Sequence, residues 1–177
     1  MEKISFKKKL VPLILTILVV VLDQLSKNLI VNSIPPFTIG WSFFGDLLRI
    51  IHVSNEGIAF SMGDSLPGTM RSLLFSAAPL AVIVLVFVIY FRNNEFSSFQ
   101  RWCICGVLGG GLGNLYDRIF RSEGVIDFID VKFFGIFGLN RWPTFNIADS
   151  AVVIFGISLA ISFLRTEISL KQSGKSE

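Results

Sequence analysis

The sequence predicts an all-α integral membrane protein with four transmembrane helices, a small extracytoplasmic β-sheet and both termini cytoplasmic. Three observations carry this. Of 177 residues, 52% are hydrophobic and only 16% are charged, against about 25% charged in soluble domains. Long apolar runs recur with no solenoid repeat, no low-complexity segment and no sign of a second domain, so residues 1–177 read as one membrane unit. In a bilayer only helices and closed barrels satisfy the backbone, and unbroken apolar runs select helices. Lysine and arginine also fall unevenly between the connections, which sets orientation.

The first span, about 10–30, is apolar except near its end, where Asp23 and Lys27 sit. As a helix it covers about 31 Å, enough for the hydrocarbon core. Lysines precede it, as in a secretory signal peptide, but its apolar part is too long and no small-x-small site follows, so it reads as a retained helix. The connection 31–71 contains Pro35-Pro36, the β-branched-rich run Leu48 to Val53, a turn at Asn55-Glu56-Gly57, and then Ile58-Ala59-Phe60. That pattern predicts a small sheet on the membrane surface, with Phe37, Trp41, Phe43 and Phe44 at the interface. The second span, about 72–91, carries no charge up to Phe91.

The third span, about 99–119, has a short uncharged core from Trp102 to Tyr116 and borrows flanking residues. Its glycines Gly106/Gly110 and Gly109/Gly113 form two small-xxx-small pairs that admit close approach of another helix, a substrate backbone or an acyl chain. The connection 120–144 is rich in aromatics (Phe128, Phe133, Phe134, Phe137, Trp142) and is expected to hug the membrane as a loop. The fourth span, about 145–165, holds Asp149 at its start.

Lys3, Lys7, Lys8, Lys9, Arg92, Arg101, Arg165, Lys171 and Lys175 crowd the termini and the short central connection. The two longer connections carry fewer basic residues per length. Both termini are therefore expected in the cytoplasm and the two long loops outside. The net charge of +3 is mostly this orientation signal and does not point to nucleic acid.

With that topology Asp23, Asp117, Asp127 and Asp149 all lie toward the outer face. A carboxylate set in hydrocarbon costs roughly 2.5–3.5 kcal/mol on insertion scales, so gathering several at one depth needs a reason. Asn114/Asp117 and Asn146/Asp149 are three apart and share helix faces; Asp23 and Lys27 are four apart and can pair. Arg118 offers a fork to a carboxylate. Two carboxylates close together do not ionise independently, and such a dyad can hold water, act as base and protonate a departing amide nitrogen. Structural roles compete for each residue: an ion pair for Asp23 and Lys27, a polar plug for Asp117 and Arg118, an N-cap for Asp149, packing for the glycines. A proton- or ion-coupled carrier and a scaffold use the same acids differently. A single histidine, His52, and two thiols, Cys103 and Cys105, make a thin ligand set, and no metal or cofactor is implied. The residues alone do not choose Asp127 over Asp117.

Five motifs in order resemble the lipoprotein signal peptidases (signal peptidase II), bacterial membrane aspartic proteases. They are Asp23-Gln24-Leu25-Ser26-Lys27, Asn55 to Phe60, Gly109 to Arg118, Val125 to Asp130, and Phe145 to Ser150. The resemblance covers nearly the whole chain. It implies a multi-pass monomer of the bacterial cytoplasmic membrane with its site at the outer face. Its substrates would be diacylglyceryl-modified prolipoproteins, cut just before the lipidated cysteine by water activated between two aspartates, without metal or cofactor. By motif position Asp127 and Asp149 correspond to the catalytic pair. Asp23, Lys27, Asn55, Gly57, Asn114, Asp117, Arg118, Asn146 and Ala148 correspond to supporting or substrate-binding positions, and the segment from Asn55 to Phe60 to a lid. The interval from Asp127 to Asp149 is a few residues longer than the family pattern, with the extra length around Phe133 to Trp142.

Overall fold

The computed structural model describes residues 5–55 and 68–173. Five helices and four strands follow in the order α1 (Phe6–Leu10), α2 (Leu13–Ser33), β1 (Ile39–Phe43), β2 (Leu48–Asn55), α3 (Gly68–Arg92), α4 (Ser98–Phe120), β3 (Val125–Ile136), β4 (Leu139–Arg141) and α5 (Ile147–Ser173).

Pro12 separates α1 from α2 and stands at the α2 N-terminus, where its missing N–H costs nothing. A capping box starts α4: the Ser97 hydroxyl accepts from the Gln100 N–H, and the Gln100 side chain accepts from the Ser97 N–H. The central helix is α4, packed on α2, α3 and α5. Its glycines divide by face. A methyl at Gly106 or Gly110 would strike Phe155 or the Ala148 carbonyl of α5, while one at Gly109 or Gly113 would meet Val19 or Asp23 of α2. The space that the sequence left open to a substrate or acyl chain is filled by these two neighbours.

The fold is not all-α. The four strands form one antiparallel sheet in the order β1-β2-β3-β4. The run from Leu48 becomes β2 as its β-branched content predicts. The segment expected as a loop becomes β3, because Val125, Ile126, Ile129 and Val131 give it strand-forming side chains and β2 gives it a partner. Its first four residues are buried. Leu48 pairs with Val131, Val53 with Asp127 and Asn55 with Val125, with a bulge between Ile50 and Val53. Ile30 and Ile34 at the end of α2 pack on Ile126 and Phe128, seating the sheet on the helices. The longer interval around Phe133 to Trp142 is the β3–β4 hairpin, in which Lys132 pairs with Arg141.

Polarity is inverted relative to a water-soluble fold. Asp23, Lys27, Asp117 and Asn146 are fully buried, while Leu29 and Ile14 are 67% and 61% exposed. Among the described residues, Phe6–Ser33 and Ile147–Ser169 have the length and hydropathy of membrane spans, and Ser76–Arg92 is a shorter apolar helix. Arg101, Asp117 and five glycines dilute the apolar character of α4.

Candidate active site

The acids divide into two groups that touch. The first is built on α2 and α4. Asp23 and Lys27 lie one turn apart on α2, and the Lys27 ammonium donates to Asp23 Oδ2 at 2.7 Å, to Asp117 Oδ2 at 2.7 Å and to Asn114 Oδ1 at 2.9 Å. All three of its protons are used. Asp117 also accepts from Arg121 Nε at 2.9 Å and from Gln24 Nε2 at 3.0 Å. Asp23 Oδ1 accepts from the Ala148 N–H at 2.9 Å, which fixes the start of α5 to α2. Two carboxylates thus meet Lys27 and Arg121, and the cluster is close to neutral. The arginine on Asp117 is Arg121, one turn along α4, rather than the adjacent Arg118, because residues four apart share a face and neighbours do not. Arg118 is half-buried in the last turn of α4.

The second group joins β3 to α5. Asn146 caps α5: its side-chain oxygen accepts from the Asp149 N–H at 2.9 Å, and Asp149 Oδ2 accepts from the Asn146 N–H at 3.1 Å. This is a reciprocal capping arrangement, so Asp149 stands in the first turn and Asn146 is the cap itself. Phe145 locks this turn onto β3 by exchanging backbone hydrogen bonds with Ile129. The fully buried Asn146 then reaches Asp127 Oδ1 through its amide nitrogen at 2.7 Å. The register of Val53 on Asp127 brings the last residue of β2 alongside, and Asn55 Nδ2 donates to Asp127 Oδ2 at 3.0 Å.

Asn114 links the two groups. Its oxygen receives Lys27 and Asn146, and its nitrogen donates to Asp149 Oδ1 at 2.7 Å.

A difference in chemistry follows. Asp23 and Asp117 are held by cations. The hydrogen bonds that reach Asp127 and Asp149 from described residues come from the neutral amides of Asn55, Asn114 and Asn146. Burial pushes the Asp127 carboxyl up to about 6, the negative charge of Asp149 adds to the rise, and the Asn55 and Asn146 hydrogen bonds oppose it. A carboxyl in that range carries a proton for part of the time near neutrality. Asp149 is half-buried.

Of the residues singled out in the sequence, Asp23, Lys27, Asn114, Asp117, Asn146, Ala148, Asp127, Asp149 and Asn55 form one connected network. Gly57 and the remainder of the lid segment, from Glu56 to Phe60, lie outside the described residues. Sequence reasoning missed Gln24 and Arg121. The four-residue step from Asp117 to Arg121 was the available signal for the second. For Gln24 the available signal was a polar amide beside Asp23 in an apolar span; that amide also donates to the Gly113 carbonyl at 3.1 Å.

Comparisons with known proteins agree with one another. A model of the signal peptidase (SPase) II family matches residues 15–165. A lipoprotein signal peptidase of Treponema pallidum is 49% identical over 161 residues, covering 91% of this chain and 87% of the relative. One from Treponema denticola is 45% identical over 166 residues, covering 91% and 92%. One from Borrelia duttonii is 48% identical over 155 residues, covering 88% and 90%. Among solved structures, a bacterial membrane enzyme determined by the in meso method at 1.9 Å superposes with a TM-score of 0.74 at 27% identity, covering 93% of this chain and 97% of that one.

Proposed function

The chain belongs to the signal peptidase II family, and on that premise we propose that it is an aspartic endopeptidase that cuts prolipoproteins by means of Asp127 and Asp149. The relatives' name supplies the substrate class, prolipoproteins. The diacylglyceryl modification and a cleavage point just before the modified cysteine come from the motif resemblance. The observation that carries the mechanism is the contrast between the two acid groups: one is neutralised by Lys27 and Arg121, the other is given amide donors and a carboxyl near 6.

In this reading Asp149 takes a proton from a water held between the two side chains, and the oxygen adds to the scissile carbonyl. Asp127 holds a proton and gives it up as the tetrahedral intermediate collapses, so that the nitrogen leaves as an amine. The C–N bond breaks, the signal peptide departs with a new carboxylate, and the cysteine keeps a free amino terminus. Asn114 and Asn146 set the spacing of the acids. Lys27, tied to Asp23 and Asp117, fixes Asn114 in turn. Four spans, cytoplasmic termini and an outer-face site complete the reading. The charge distribution supports them, as does the common end of the helices at which the acids gather. Acyl chains would hold the substrate at that depth, and the exposed apolar faces of the helices leave the site open to lipid. The enzyme acts as a monomer.

Asp127→Asn and Asp149→Asn are each expected to insert and purify normally and to lose processing of a diacylglyceryl-modified precursor, while wild type cuts that precursor and spares its unlipidated twin. Cleavage surviving in either purified variant would overturn the dyad.

A further inference from the structure

Far from the acids, α1 and the beginning of α4 border an open cavity of about 610 Å³. Arg101 on its wall and Asp117 in the site are separated by about 24 Å along α4. Lys7, Lys8 and Arg101 line the cavity beside an apolar wall that includes Val11, Phe96 and Trp102, and none of its lining residues is acidic.

The charge here is out of balance. Arg101 is 2% exposed; it donates to the Tyr90 carbonyl at 3.3 Å and the Asn93 carbonyl at 2.9 Å, and its Nε–H is buried without a partner. Lys9 beside it is 7% exposed and donates to the Phe91 carbonyl at 2.6 Å and the Asn94 amide oxygen at 2.7 Å. Among the described residues neither cation meets a carboxylate. Lys27, buried as deeply, meets two. The rings of Tyr90 and Phe96, 5.4 and 5.8 Å from the Arg101 guanidinium, offset only part of the cost. Buried cations without a counter-charge are expensive, and an anion in the cavity removes that expense.

We propose that this cavity binds the phosphate-bearing headgroup of an anionic phospholipid of the surrounding bilayer. Lys7, Lys8 and Arg101 face the phosphate, and Val11, Phe96 and Trp102 face the glycerol and the first acyl carbons. Three features select a lipid over a free anion. The wall is mainly apolar, a tryptophan sits at its edge as at a membrane interface, and basic pockets between membrane helices suit such headgroups. The volume is in the range of small-ligand sites.

The test uses the full chain in a zwitterionic detergent, titrated with phosphatidylglycerol, phosphatidylcholine or inorganic phosphate. Binding is read by native mass spectrometry and by the thermal midpoint. Phosphatidylglycerol is expected to bind and to raise the midpoint; the other two probes are not. Lys7→Gln with Lys8→Gln, both exposed on the rim, should weaken phosphatidylglycerol binding about 25-fold, from roughly a factor of five per basic residue. Arg165→Gln with Lys171→Gln removes the same charge from α5 and should leave binding within about two-fold. With Trp41→Phe and Trp142→Phe, Trp102 is the remaining tryptophan, and brominated phosphatidylglycerol should quench it. Equal losses in the two double variants, equal binding of phosphatidylcholine, or saturation by inorganic phosphate would each overturn the proposal. Quenching of Trp102 by brominated phosphatidylcholine as strong as by the glycerol lipid would do the same.

Discussion

Asp127→Asn is expected to make the protein more stable while destroying its activity. Burial holds the folded-state carboxyl near 6 against an ordinary 3.8, which corresponds to roughly 3 kcal/mol between protonation states. The sign follows from linkage. Below about pH 4 the group is protonated whether folded or not, and it costs the fold nothing. As pH rises from about 4 to 6 the unfolded chain releases its proton first, so the folded state loses relative stability; above about 6 the full loss is present. Asparagine is neutral throughout. It gives back part of the gain, because Asn55 and Asn146 both donate toward this side chain and one of them would meet an NH₂. A mismatched hydrogen bond costs about 1 kcal/mol, leaving a net gain of about 2 kcal/mol at pH 8. For a chain of this size that is about 4–8 °C in the midpoint. The fluorescence of Trp41, Trp102 and Trp142 reads unfolding across the whole pH range. The variant should be about 1 kcal/mol less stable than wild type at pH 4, where only the mismatched bond counts, overtake it as pH rises toward 6 and then level off. An advantage that is absent at pH 8, or independent of pH, would refute the view that desolvation dominates this site.

Three further outcomes test the frame around the acids. Lys27→Met leaves Asp23 and Asp117 buried with their shared cation removed, and is expected to cost about 3–5 kcal/mol, read as loss of folded protein in detergent; normal yield and midpoint would show that Lys27 does not hold the frame. Gly110→Ala puts a methyl against the Ala148 carbonyl and, at 2.7 Å, against Val152; a loss of about 1–3 kcal/mol with a matching fall in turnover is expected, and an unchanged midpoint would mean that α4 and α5 separate freely. At the β3–β4 turn, Phe137 and Gly138 have φ of 52° and 79°, a pair of conformations that favours Asn-Gly. Phe137 is 89% exposed there. Phe137→Asn should therefore hold or raise the midpoint in detergent yet reduce processing in bilayers more than in micelles; an equal effect in both media would show that the aromatic tip has no membrane role.

The same residues show how far the chain alone could be read. Its helices were legible because the apolar runs are long; Pro12 before α2, the Ser97 box before α4 and Asn146 before α5 were local signals left unread, and the cap expected at Asp149 falls on Asn146. The supports of the site were legible where they lie on one helix, as with Asp23 and Lys27 or Asn146 and Asp149, since three- and four-residue steps fix neighbours without reference to the fold. Strand β3 was not legible. Its aromatic-rich run suits an interfacial loop as well as a strand, and its pairing comes from β2, distant in sequence. The difference in partners between Asp117 and Asp127 also belonged to tertiary structure. Asp117 and Asp127 are both aspartates near one membrane face, and residue type does not separate them. The ammonium of Lys27 crosses from α2 to reach Asp117, and the β2–β3 register carries Asp127 to Asn55 and Asn146 instead. Local spacing determined which groups are available; packing between distant segments decided which carboxylates were neutralised, because an ion pair depends on distance in space and the sequence sets that distance only within a helical turn.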